Sequence, residues 1–96
     1  EKVINDDPEL LASYAETIAM AAGKGLSGKP AQLIERALKL DPQQPHALFL
    51  AGAAAMEAGD HKKGVAYWEA LLPQVEPGSE IDRMLRSGID KMKSGG

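Results

Sequence analysis

Apolar residues recur along most of this chain at every third or fourth position, which is the period of a helix that buries one face. Such stripes occupy five segments, which begin near Pro8, Pro30, Pro45, Asp60 and Ser79. No segment alternates apolar and polar residues for long enough to indicate a strand. The sequence therefore predicts an all-α protein.

Capping and helix-breaking residues set the limits of these helices. Asp7 before Pro8 is typical of a helix start, because the Asp side chain accepts from the free backbone amides. Ser79 with Asp82 resembles a capping box, and Gly59 is typical of a helix end. The predicted helices run from Pro8 to the glycines at 23 and 25, from about Pro30 to Leu40, from about Pro45 to Ala58, from Asp60 to about Gln74, and from Ser79 onward.

The stripes also predict which side chains face the core. In chain order they are Leu10, Leu11, Tyr14, Ala15, Ile18 and Ala22; Leu33, Ile34, Ala37, Leu38 and Leu40; Leu48, Ala51, Gly52 and Ala55; Val65, Trp68, Leu71 and Leu72; and Ile81, Met84, Leu85, Gly88, Ile89 and Met92.

The chain repeats itself with the period of a tetratricopeptide unit. Asp7-Pro8 recurs 34 residues later as Asp41-Pro42. In the second unit Gly64 takes the small position of the second helix and Trp68 the large aromatic one. We predict a tetratricopeptide-like α-α superhelix with two helix-turn-helix repeats and a C-terminal capping helix. The predicted ranges are a leader or the end of a preceding element over 1–6, one domain over 7–93 (repeat one 8–42, repeat two 43–77, capping helix 79–93) and a tail over 94–96.

Composition excludes several classes of function. The net charge of −3 argues against a nucleic-acid-binding surface, and the absence of cysteine excludes thiolate chemistry. His46 and His61 lack the spacing of a metal site, and the glycines at 23, 25 and 28 follow a helix rather than the strand that a dinucleotide site needs. We therefore predict that the protein is not an enzyme and that it binds no metal, cofactor or small-molecule substrate. Because the sequence begins at Glu1, we interpret it as an excised domain or processed chain, with any membrane anchor outside it.

The order of motifs carries a closer resemblance, which spans nearly the whole chain. The segments that carry it are 7–16, 33–42, 46–55, 59–60, 67–72 and 83–89. Together they resemble the C-terminal tetratricopeptide domain of the cytochrome c-type biogenesis proteins, the CcmI/CycH and NrfG group. The resemblance implies a periplasmic protein, tethered or not to the inner membrane by a region outside this chain. It also implies that the domain holds the C-terminal peptide or helix of an apocytochrome c and works with the haem ligation proteins.

Stacked helix pairs curve, and the first helix of each pair lines the concave side. Side chains one turn apart on these helices are predicted to point into the groove. The predicted groove residues are Ala12, Glu16, Ala19, Met20, His46, Phe49, Ala53, Met56, Arg86 and Ile89, with Glu9 and Asp82 directed the same way.

Each groove residue has a proposed role and a simpler alternative. Phe49 and Met56 would anchor an apolar ligand, or they fill the core. The alanines leave room for a bulky partner side chain. Arg86 would pair with an acid or a terminal carboxylate of the partner, or it pairs with a neighbouring Asp. The alternatives to a cytochrome maturation module are a general protein-protein scaffold in another assembly and a self-association module.

Overall fold

The computed structural model describes residues 7–23, 25 and 28–95, and these form five α-helices. They are α1 (Pro8–Ala22), α2 (Lys29–Leu40), α3 (Pro45–Glu57), α4 (His61–Leu71) and α5 (Glu80–Gly95). No strand occurs within these described residues. The all-α prediction is confirmed. The predicted leader over 1–6 lies outside the described residues.

Both ends of α1 follow the local chemistry of the sequence. One carboxylate oxygen of Asp7 accepts from the backbone amides of Glu9 and Leu10 at 3.0 and 3.3 Å. Gly23 ends the helix with a φ of 66°, a left-handed conformation that glycine adopts without steric cost.

The turn between α3 and α4 reverses the chain within three residues. Gly59, with a φ of 83°, donates to the carbonyl of Met56 at 3.1 Å, and Asp60 donates to the carbonyl of Ala55 at 2.8 Å. These two bonds form a Schellman motif, which satisfies the last carbonyls of α3. The Asp60 side chain then accepts from the amide of Lys63 and begins α4. The turn thus makes α3 and α4 a tight helical pair.

The segment from α4 to α5 differs from the prediction in two details. The α-helix ends at Leu71 rather than near Gln74, and a 3₁₀ turn, Leu72–Gln74, follows it. Pro73 explains this ending, because proline has no amide to donate and its ring crowds the preceding turn. At the other end of the chain α5 continues to Gly95, into the range predicted as a tail.

The capping box at the start of α5 is only half formed. Ser79 Oγ accepts from the amide of Asp82 at 3.2 Å, as predicted. The Asp82 carboxylate, however, accepts from the amide of Gly78 at 3.0 Å, because Ser79 N donates to the carbonyl of Glu76. Asp82 therefore fixes the turn before α5 as well as the first turn of the helix.

The helices form two pairs and a cap. Helix α1 packs against α2, α3 packs against α4, and α3 also contacts both helices of the first pair. Helix α5 packs against α4 and closes the stack. The molecule measures 42 × 27 × 20 Å, as expected for helix pairs stacked along one axis. This arrangement is the predicted superhelix of two helix-turn-helix units and a capping helix.

Two apolar clusters hold the stack together. The first joins α1, α2 and α3, and the second joins α3, α4 and α5. Five side chains predicted to face the core are instead exposed, because each lies at the margin of a stripe where no described helix covers it: Leu10, Tyr14, Leu40, Ile81 and Met84.

Trp68 is the centre of the second cluster, as its position in the repeat predicted. Its Nε1 donates to the backbone carbonyl of Phe49 at 3.0 Å, and the two rings stack at 5.7 Å between centroids. Gly52 on α3 and Gly88 on α5 face the indole, and a Cβ at either position would overlap it. These glycines allow three helices to converge on one aromatic ring.

Candidate functional site

One side of α3 stays partly open after the helices have packed. His46, Phe49, Ala53 and Met56 lie on this side on successive turns, and all four are half-buried. They span about 15 Å of helix, since each residue advances about 1.5 Å. We call these four residues the open face. All four are predicted groove residues, and the structure brings them together.

Phe49 both supports the open face and takes part in the core. Its ring lies almost parallel to that of Trp68, at 3°, and it packs against both apolar clusters. Part of the ring remains accessible. The two interpretations of Phe49, core filler and ligand anchor, therefore describe two sides of the same ring.

Helix α1 borders the open face on one side. Glu16 Oε1 lies 2.9 Å from His46 Nε2, and this hydrogen bond joins the two helix pairs. The side chains remain 46% and 30% exposed, so that neither is sealed from solvent. Glu9 and Met20 lie on the same flank of α1, seven residues before and four residues after Glu16, and both are exposed. We call Glu9, Glu16 and Met20 the α1 edge.

Three predicted groove residues do not line any open surface. Ala12, Ala19 and Ile89 are 0%, 8% and 7% exposed. The alanines are buried in the first cluster, where small side chains let its helices approach closely. Ile89 is buried in the second cluster. The predicted groove position is therefore wrong for these three side chains, which pack beneath the surface.

Arg86 lies on a different side of the molecule from the open face. Its Nε donates to both carboxylate oxygens of Asp82, at 3.1 and 3.2 Å. Arg86 shares a stripe of α5 with Lys93, whose ammonium lies 3.4 Å from Glu69 on α4. The opposite flank of α5 carries Gly88, which faces Trp68. The alternative in which Arg86 pairs with a neighbouring Asp is the one that the structure supports.

Asp82 is directed into the protein rather than into a groove. Its residue is buried, and the pKa of its carboxyl is held below the usual value by the hydrogen bond from the amide of Gly78. Burial acts in the opposite direction, and the hydrogen bond and positive charge of Arg86, with the charge of Arg83, lower the pKa further. Asp82 is thus an ionised residue that fixes the start of α5.

The other border of the open face comes from residues that the sequence analysis assigned to the core. Ile81 and Met84 are each 40% exposed and lie on the same flank of α5 as Gly88. Because Gly88 faces the indole of Trp68, this flank is the one that turns toward α3. We call Ile81, Met84 and Gly88 the α5 edge. The sequence signal that could have found them is the width of the apolar stripe on α5, which exceeds what one neighbouring helix covers.

A separate cleft of about 170 Å³ lies between α2, α3 and α4, away from the open face. Its lining includes alanines of α3 and the charged residues Glu35, Asp60 and Lys63. The residues that line it are Ala31, Ile34, Glu35, Leu38, Ala51, Ala54, Ala55, Ala58, Asp60, Lys63 and Tyr67. The two sides of α3 thus present two different surfaces.

No group of three or more His, Asp and Glu side chains in residues 7–23, 25 and 28–95 is placed to hold a metal ion. Within the same residues, no helix is both long and apolar enough to span a bilayer.

Comparison with known proteins gives two similarities. No family model matches the chain. The cytochrome c-type biogenesis protein CycH of Pseudomonas aeruginosa is 30% identical over 93 residues, which is 93% of this chain. The chain spans only 23% of the length of that relative. A crystal structure of a YfrE protein from Vibrio parahaemolyticus superposes with a TM-score of 0.70 at 22% identity, covering 95% of this chain and 99% of that one.

These similarities agree with the fold and point to cytochrome c biogenesis as the setting. The YfrE structure supports the helical-repeat architecture over nearly the whole chain, and at 22% identity it supports the fold alone. The tetratricopeptide assignment itself stays a prediction from the repeat pattern. The chain is similar, over almost all of its length, to a segment of a cytochrome c-type biogenesis protein.

Proposed function

We propose that this chain is a non-catalytic peptide-binding module of cytochrome c maturation, whose open face holds the C-terminal segment of an apocytochrome for haem ligation. The observation that carries the proposal is the open face itself. Phe49, Ala53 and Met56 are accessible between two edges, and Ile81 and Met84 on the α5 edge expose apolar surface. The similarity to CycH supplies the cytochrome context.

The open face suits an apolar ligand segment for physical reasons. Methionine side chains adapt to ligands of different shape, and the side chains at 56 and 84 offer two of them. Ala53, between Phe49 and Met56, leaves space for a larger partner side chain. A buried aromatic floor under an open apolar strip is typical of sites that accept an amphipathic helix or peptide.

The cellular setting follows from the same proposal. A module for apocytochromes works in the periplasm, beside the haem ligation proteins, and a region outside this chain would connect it to the inner membrane. The relative is about four times as long as the segment that this chain matches, since that segment is 23% of its length. The partners and location of the whole protein therefore belong to the proposal.

Titration with peptides from apocytochrome C-termini tests this function. Trp68 is the single tryptophan of the chain and lies under Phe49, so its fluorescence reports on ligands at the open face. We expect saturable binding of the native peptides and weaker binding of scrambled peptides of equal composition. Equal affinity for both would contradict recognition of an apocytochrome terminus.

A matched pair of variants locates the site. Ala53→Glu places a charge on the open face, whereas Ala54→Glu places the same charge on the other side of α3, at the cleft between α2, α3 and α4. Both alanines are half-buried, but Ala53 packs against both apolar clusters and Ala54 against the first, so affinity is compared per folded molecule. We expect Ala53→Glu to abolish peptide binding and Ala54→Glu to preserve it in the folded protein. The opposite result would move the site to the cleft.

A further inference from the structure

The two edges of the open face differ in charge. Helix α1 with its cap carries Asp7, Glu9 and Glu16 and no lysine or arginine. Two of these acids, Glu9 and Glu16, belong to the α1 edge. The α5 edge presents Ile81 and Met84, which are apolar, next to Gly88. A segment that lies along α3 therefore meets carboxylates on one side and hydrocarbon on the other.

The carboxylate of Glu16 is held in place at this edge. Its Oε1 is bonded to His46 Nε2 at 2.9 Å, which fixes the side chain beside the open face. Nearly half of the side chain remains exposed, at 46%, so a partner cation can still approach it.

The two acids also define a spacing. Glu9 and Glu16 are seven residues apart on α1, which corresponds to about 10 Å along the helix axis. A helical ligand that lies parallel to α1 matches this spacing with side chains at positions i and i+7. The open face is about 15 Å long, which corresponds to about three turns of such a ligand.

From this charge complementarity we infer that the open face selects an amphipathic segment with an apolar ridge and lysine or arginine on the edge that lies against α1. Glu9 and Glu16 are the specificity-determining residues, and the α5 edge receives the apolar ridge. The inference rests on the proposed peptide-binding function of the open face. It adds the orientation and the charge of the ligand, which that function leaves open.

Three designed helical peptides test the inference. They share one leucine ridge and differ only at two edge positions, i and i+7, which carry lysine, glutamine or glutamate. We expect affinities for the native domain in the order lysine, glutamine, glutamate, with each step about three- to tenfold. The differences should shrink from about 0.01 M to about 0.15 M salt, because the Debye length falls from about 30 to about 8 Å.

Charge-matched variants locate the effect. In Glu9→Gln/Glu16→Gln we expect the three peptides to bind with equal affinity. The control is Glu35→Gln/Asp90→Asn, which changes the net charge equally at exposed positions on α2 and α5 and keeps the acids of the α1 edge. We expect this control to retain the native order of affinities.

The outcomes separate the inference from the function beneath it. If the native domain binds all three peptides equally, the charge inference is overturned and the apolar open face is retained. If the order persists in Glu9→Gln/Glu16→Gln, the cation is recognised elsewhere and the inference is also overturned. If no peptide binds, both the inference and the proposed function fail.

Discussion

Replacing Gly52 by alanine measures how closely α3 and α4 are joined through Trp68. A Cβ at this position would overlap the pyrrole edge of the indole, including Nε1. The indole cannot move freely, because it stacks on Phe49 and donates Nε1–H to the carbonyl of Phe49. It is also bounded on its far edge by Gly88 of α5. The added methyl group must therefore displace either the ring or the helix.

Three contributions set the size of the effect. Overpacking of a core costs about 1–3 kcal/mol, and weakening the Nε1 hydrogen bond costs about 0.5–1.5 kcal/mol. Alanine in place of glycine inside a helix offsets about 0.8–1 kcal/mol of this. We expect Gly52→Ala to lower the free energy of unfolding by about 0.5–3.7 kcal/mol. One kcal/mol corresponds to about 4–8 °C in Tm for a chain of this size.

Two other helical glycines provide graded comparisons. A Cβ at Gly88 would overlap the benzene edge of Trp68 without reaching a hydrogen-bonding atom, so Gly88→Ala should cost about 0–2 kcal/mol. A Cβ at Gly64 would meet Met92 Sδ at 2.5 Å and the backbone carbonyl oxygen of Gly52 at 3.3 Å. A thioether can change rotamer, so Gly64→Ala should stay within about 1 kcal/mol of the native protein. The expected order of destabilisation is Gly52, Gly88, Gly64.

Urea unfolding followed by far-ultraviolet circular dichroism measures these differences as midpoints at a constant slope. A double-mutant cycle with Trp68→Leu isolates the contact, because residues in contact show non-additive effects. In the Trp68→Leu background, the cost of Gly52→Ala should fall by about 1 kcal/mol or more. The reasoning is refuted if Gly52→Ala is as stable as Gly64→Ala, or if its cost is the same in both backgrounds.

Three further predictions concern the core, a buried carboxylate and a helix cap. Phe49→Ala should lower the free energy of unfolding by about 2–4 kcal/mol and shift the emission of Trp68 to longer wavelength, since the ring covers the indole; unchanged emission would contradict the stack. The lowered pKa of Asp82 means that its ionised form contributes stability above the usual value of 3.8, and that this contribution is lost as pH falls through the lower folded pKa. Asp82→Asn should therefore be less stable at neutral pH and lose less stability between neutral and strongly acidic pH, as followed by urea midpoints; parallel pH profiles would exclude the role of Asp82. Asp7→Ala removes the acceptor for two amides of α1 and should cost about 0.5–2 kcal/mol, and no change in thermal midpoint would show that the cap contributes nothing.

The limits of the helices could be predicted from the sequence because they depend on hydrogen bonds between residues that are close in the chain. Asp7 accepts from amides two and three residues ahead, and Gly59 and Asp60 close a motif that spans six residues. Residue type alone determines such bonds to a large extent. The early end of α4 also has a local cause in Pro73, which the stripe of apolar residues did not reveal.

The candidate site could be predicted from the sequence only in part. The sequence predicted that His46, Phe49, Ala53 and Met56 share one side of α3, and the structure places them there. Their binding role stays a prediction. For the α1 residues the same argument selected Ala12, which is buried, together with Glu16, which is accessible. The helical period fixes the angle between two side chains, but it does not fix where the neighbouring helix lies.

The α5 edge shows the opposite error: residues predicted to be buried are exposed. Ile81 and Met84 belong to the apolar stripe of α5, and the stripe predicted that they are buried. They are exposed because α5 packs mainly on α4, so that the flank next to Gly88 stays uncovered. Arg86, on the other flank, pairs with Asp82 within its own helix. Only the packing of α5 decided which of its flanks borders α3.

The sequence by itself determined five helices, their order and most of their ends, and the tryptophan at the centre of the second unit. Local hydrogen bonds and the helical period depend on neighbouring residues. They can therefore be predicted without knowing how the rest of the chain packs. The tertiary structure decided which margin of each apolar stripe is covered. That choice depends on how closely and at which angles helices pack, and here Gly52 and Gly88 allow α3 and α5 to approach one indole ring.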